Sequence, residues 1–171
     1  MKTIECYNNL IQILDEEVTV YRHFLDLVRH EYNILVESKL DALIENNKSK
    51  EAMITKLKSL ERIREKRARE LTMSLGMIAG TEPFTLLQIA SKLEMTQGDR
   101  LRTIHATLDL LIKRVKENNA KNEVLVQSAL TNIKGALENL KSSLQDKKTY
   151  KSEGKTAPGQ VAWGRLVSKE V

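Results

Sequence analysis

The sequence predicts an all-α fold: an elongated bundle or antiparallel coiled coil of three long helices plus one short helix, with a flexible C-terminal tail. Three observations carry that prediction. Apolar residues recur alternately three and four positions apart through most of the chain, the period of one helix face. Aromatic residues make up only 4% of a sequence that is 41% hydrophobic, so its interior must be assembled from Leu, Ile, Val and Ala, which suits helix against helix better than sheet. Residues 148–171 hold the only tryptophan, Trp163, with one of the two prolines and three of the seven glycines, a composition unlike the rest.

The first long segment, about residues 3 to 36, places Tyr7, Ile11, Leu14, Val18, Tyr21, Leu25, Val28, Tyr32 and Leu35 on one heptad seam. Such a helix is on the order of 50 Å long and needs a partner of similar length. The pattern changes phase after Leu35, and Ser38 followed by Asp41 resembles a helix start, so a break is expected near Glu37 and Ser38. A second helix then runs to about Leu75 with a less regular face (Leu40, Leu43, Ile44, Met53, Ile54, Leu57, Leu60, Ile63), and Gly76 and Gly80 offer stops. A short third helix is expected within "GTEPFTLLQIASKLEM", with Thr81 as cap and Pro83 in the first turn, and Gly98 ending the connection. The last long seam, from about Asp99 to Asp146, runs Leu101, Ile104, Leu108, Leu111, Val115, then Asn118 and Asn122, then Leu125, Ala129, Ile133, Leu137, Leu140 and Leu144. Two asparagines on an apolar seam cost stability but fix register and oligomer state, because misaligned packing leaves their amides unpaired; Asn118 and Asn122 are the seam-specificity candidates. The chain therefore divides into a helical bundle, 1–146, and a tail, 147–171.

Charge excludes some functions. Of 28 basic and 23 acidic side chains, residues 147–171 hold six basic against Glu153 and Glu170, which leaves 22 basic and 21 acidic in the body. A neutral body with a mildly basic tail lacks the concentrated basic face of a nucleic-acid binder. The densest basic stretch, "KLKSLERIREKRARE" at 56–70, interleaves Glu61, Glu65 and Glu70 at pairing distances and has no aromatic to stack on bases, so it reads as a solvated helix face. No run approaches the apolar length that crosses a membrane, the amino-terminal segment lacks a signal peptide's apolar core, and the single Cys6 forms no internal disulfide; the sequence reads as soluble and cytoplasmic.

Catalysis finds no foothold. His23, Asp26, His30 and Glu31 are the most metal-like cluster, but both histidines fall on the side of the first helix away from its seam. His105 and Asp109 lie one turn apart with no nucleophile placed near them by sequence. There is no phosphate-cradling glycine loop, no CxxC and no HExxH, and no metal or cofactor is called for.

Particular residues also resemble a known family. Lys50, Met53, Ile54, Leu57, Leu60, Glu61 and Arg64 on the second helix, Asn118 and Asn122 ahead of Leu125, the tail "TYKSEGK", and Glu31 with Leu35 on the first helix together resemble FlgN-like flagellar export chaperones over nearly the whole chain. The resemblance implies a non-enzymatic cytoplasmic chaperone. Its partners would be the hook-filament junction proteins (FlgK and FlgL type), held until delivery to the flagellar type III export gate. It also implies that a tyrosine in the tail, here Tyr150, helps dock on that gate; a cap on the last helix is an equally good role.

The composition of the tail then acquires a meaning. The family's clients have amphipathic terminal helices, and Val161, Trp163, Leu166 and Val167 are the candidate client-binding residues, with Trp163 as anchor because tryptophan buries a large area. Gly154, Pro158 and Gly159 keep this segment from joining the bundle. The same residues are compatible with a tail that folds back on the chaperone itself, and the apolar seams with a structural or regulatory protein that forms a coiled-coil homodimer.

Overall fold

A computed structural model describes residues 2–78 and 83–149 and, of these, the side chains up to Leu144. The chain divides into two compact units, Met1–Val126 and Gln127–Val171. Among the described residues every regular element is a helix: α1 Lys2–Val36, α2 Leu40–Ser74, α3 Leu86–Ala90 and α4 Met95–Thr149.

In the first unit, α1 lies between two neighbours. Early residues of α1 meet late residues of α2: the Thr3 hydroxyl reaches the Ser74 carbonyl at 3.4 Å, Glu17 pairs with Arg64, and Glu31 with Lys50. These two helices are therefore antiparallel. Against α4 the order runs the same way, from Tyr7 donating to the Gln97 carbonyl, through Asp15 with Arg100 at 2.9 Å, to Asn122 donating to the Val28 carbonyl, so α1 and α4 are parallel. The result is an up-down-up arrangement in which α1 is covered from two sides.

That position explains the burial pattern of α1. A single seam of two positions per heptad is the narrow stripe of a two-stranded coil, whereas a helix with two neighbours needs a wider apolar face. Tyr7, Ile11, Leu14, Val18, Leu25 and Val28 are buried as the spacing predicts, and a further column, Leu10, Glu17, Phe24 and Glu31, is buried beside them. At the end of the helix the seam departs from expectation: Tyr32 is exposed and Leu35 half-buried, while Ile34 is buried. A straight helix drifts by roughly 20° per heptad from a strict seven-residue repeat, so after four repeats the inward positions have moved to neighbouring residues.

The helix ends are set by two matching turns. At the end of α1 the Ser38 N–H donates to the Leu35 carbonyl and the Lys39 N–H to the Ile34 carbonyl, with Ser38 at φ 55. At the end of α2 the Gly76 N–H donates to the Met73 carbonyl and the Met77 N–H to the Thr72 carbonyl, with Gly76 at φ 68. Both are Schellman closures, which satisfy the last carbonyls through one left-handed residue. Ser38 is thus the terminator of α1 and not the cap of α2, which begins after Lys39 with no side-chain cap.

The short connection also corrects the sequence reading. The cap of α3 is Thr85, whose hydroxyl accepts from the Gln88 N–H while the Gln88 side chain accepts from the Thr85 N–H, a reciprocal capping box. Pro83 precedes this helix, and Thr81 and Gly80 lie outside the described residues. Gly98 does not end the connection; it sits in the first turns of α4, where an added Cβ would lie 2.6 Å from the Ala90 carbonyl oxygen. The glycine is required by this close approach. Leu10, Leu14, Val28, Leu71, Ile89 and Leu101 are the largest fully buried side chains of the core.

Candidate functional site

Two features of the helices go beyond packing. The first is a polar layer within Met1–Val126. Glu31, almost buried, takes the Lys50 ammonium at 2.7 Å on one oxygen and the Asn122 amide at 3.0 Å on the other, and the same amide reaches the Val28 carbonyl at 2.8 Å. Glu31 of α1 is thereby fixed to one residue of each of the other two long helices, Lys50 of α2 and Asn122 of α4. Sliding any helix by a turn would leave a charge or an amide without a partner, at a cost of about 1–3 kcal/mol for each such group. Asn118, by contrast, donates to the Arg114 carbonyl of its own helix and reaches no other helix among the described residues. The structure thus separates the two candidate asparagines by their partners, α1 for Asn122 and its own helix for Asn118. Asn46, one turn before Lys50 on α2, is also buried, and its amide has no hydrogen-bond partner among the described residues.

The second feature lies in residues 127–149. Through Leu144 every side-chain-bearing residue there is exposed, although the apolar period continues without error. Leu130, Ile133, Leu137, Leu140 and Leu144, spaced alternately three and four apart, are between 45% and 64% exposed. The sequence assigned Ile133, Leu137, Leu140 and Leu144 to a packed seam; among the described residues nothing packs on them. The hydroxyls of Thr131, Ser142 and Ser143 donate to carbonyls one turn back in the same helix, Gln127, Glu138 and Asn139. Gly135, with nothing near its missing Cβ, lies opposite the stripe. Covering five half-exposed aliphatic side chains is worth on the order of 5 kcal/mol or more before the costs of association. A contiguous exposed apolar face of this kind is a candidate site of protein contact.

The remaining candidates have other places. His23 and His30 are exposed on α1, and the described residues contain no group of His, Cys, Asp and Glu able to hold a metal. His105 and Asp109 stand 3.9 Å apart on the rim of a cleft of about 380 Å³ floored by Tyr21, Leu57 and Leu108. Inside it Arg64 holds Glu17 at 3.1 Å, yet burial outweighs the guanidinium and pushes the Glu17 carboxyl above its ordinary value. The basic stretch of α2 is laced with carboxylates as its spacing predicts, Arg67 with Glu70, Arg69 with Glu65 and Lys56 with Glu16 of α1. Tyr150, Val161, Trp163, Leu166 and Val167 lie outside the described residues. No described helix is long and apolar enough to cross a membrane.

Packed helices pinned by one polar layer, together with a long apolar face on residues 127–144, define a helical protein of the polypeptide-binding class. The family model described as FlgN protein matches residues 1–158, and the chain belongs to that family, whose members are flagellar export chaperones and not enzymes. No curated protein matches the chain, and no solved structure does.

Proposed function

We propose that this chaperone acts in the cytoplasm on the hook-filament junction proteins, of the FlgK and FlgL type, and hands them to the flagellar export gate. The observation that carries the reading is the stripe Leu130, Ile133, Leu137, Leu140 and Leu144, an amphipathic helix face of the kind that an amphipathic client helix can cover. A client whose terminal helices assemble with one another through apolar faces is kept apart from its fellows while one such helix is occupied. Val161, Trp163, Leu166 and Val167 in the tail, 147–171, are proposed to bind the client as well, and Tyr150 is the residue proposed for gate docking. Asn122 sets the register of the bundle, 1–146, while Asn118, bonded within its own helix, has no part in it.

The test is binding of purified client to the full chain. Leu137→Ser with Leu140→Ser is expected to weaken it about tenfold or more, equivalent to 1.4 kcal/mol, with helix content unchanged. Client affinity equal to that of the parent chain would overturn the assignment of the stripe. Truncation after Asp146 measures the tail's share in the same assay, and Tyr150→Ala should lower gate affinity alone. The heptad spacing of the stripe taken alone also suits a homodimer formed through it, which a molar mass in solution decides.

A further inference from the structure

The stripe has two unlike borders, and they describe the helix that fits it. With Leu130, Leu137 and Leu144 taken as one seam column and Ile133 and Leu140 as the other, the positions just after the second column are Lys134 and Lys141, following Gln127. The positions just before the first column are Ala129, Ala136 and Ser143. In paired helices these two border columns face the partner and decide its identity and direction. One border is therefore cationic and long, the other small and uncharged. Lys134 and Lys141 are both exposed, and neither makes an ion pair among the described residues.

Resting on the reading of the stripe as the client face, we infer that the helix it accepts is acidic: one carboxylate per heptad stands opposite Lys134 and Lys141, and bulky side chains lie over Ala129 and Ala136. The small border lets the partner approach closely on that side, and the lysines attract it on the other. A second copy of this chain is the wrong occupant. Its own borders carry lysine, glutamine, alanine and serine, so in an antiparallel pair lysine would meet lysine, and in a parallel pair lysine would meet alanine. Neither direction supplies a carboxylate. The charge pattern thus selects a different polypeptide and disfavours self-association through the same face.

Two synthetic amphipathic peptides with the same Leu seam, one with Glu and one with Lys at its border positions, titrated against the full chain by fluorescence anisotropy, test this. The Glu peptide is expected to bind about tenfold more tightly at low salt, and the gap should shrink severalfold at about 0.5 M salt, where screening is nearly complete. Lys134→Glu with Lys141→Glu, whose fold is checked by helix content, should reverse the preference. Equal binding of both peptides would overturn the acidic partner while leaving the stripe as an apolar client face. Binding of neither peptide would overturn the stripe reading together with this inference. A doubled molar mass that Leu137→Ser abolishes would replace the acidic partner by a second copy.

Discussion

Leu101, Ile104, Leu108, Leu111 and Val115 form one stretch of α4, and Leu130, Ile133, Leu137, Leu140 and Leu144 another. The two match in residue type except for Val115 against Leu144 and share the same alternation of three and four, yet the first is between 0% and 8% exposed and the second at least 45%. Periodicity states that a helix face favours cover; it does not state what provides it. In the first stretch the cover is α1 and the residues around α3. In the second, among the described residues, there is none, and that contrast is the ground for the binding role proposed for this half of the helix.

The largest test of that contrast removes a leucine from each stretch. Leu101→Ala should cost about 3 kcal/mol of unfolding free energy, because a fully buried side chain leaves a cavity, and Leu137→Ala less than about 0.5 kcal/mol. Urea midpoints measure both, and similar losses at the two sites would show that the second stretch is covered in the folded chain. The glycines make a second pair. Gly98→Ala forces a methyl against the Ala90 carbonyl and should destabilise by about 1–3 kcal/mol, whereas Gly135→Ala meets open space and should stabilise by about 0.5–1 kcal/mol. Thermal melts of the two variants should move in opposite directions.

A smaller effect separates the asparagines. Asn122→Ala leaves an oxygen of buried Glu31 without its amide and should cost about 1–2 kcal/mol, while Asn118→Ala removes a bond within its own helix and should change stability by less than about 0.5 kcal/mol. The smallest concerns pH. The Glu17 carboxyl is raised above 4.5 by burial, so its contribution to stability is fully present below 4.5 and lost as pH rises through the raised value. Glu17→Gln should therefore lose less stability than the parent chain on going from about pH 4.5 to neutrality. Denaturant curves at several pH values check the slope, and identical slopes would show that Glu17 titrates alike in both states.

Much of the bundle was legible from spacing. The long helices, the break after α1, the stop at Gly76 and the paired charges of α2 all rest on interactions within a few residues, where propensity and period are informative. The misassigned details were those in which one local signal served two purposes. Ser38 has the composition of an N-cap but occupies the left-handed position that closes the preceding helix, because a three-residue connection leaves room for only one such residue. Gly98 looks like a breaker, and is small because Ala90 lies against it. Thr85 rather than Thr81 caps α3, since Gln88 stands three residues after it and completes the box.

The candidate site was legible as a pattern but not as a surface. Its residues were read as seam, and nothing in residues 127–144 distinguishes a covered leucine from an uncovered one. The sequence alone determined that this protein is helical, where its helices start to fail, which residues form apolar faces and which chemistry is missing, because those properties depend on neighbours along the chain. Only the tertiary structure decided that α1 takes cover from two sides, that Asn122 and not Asn118 joins Glu31 and Lys50, and that the last stripe of α4 has no cover among the described residues. Those outcomes depend on contacts between residues up to about ninety positions apart, as with Tyr7 and Gln97, and hydrophobic burial, being non-directional, does not encode its partner in the local spacing.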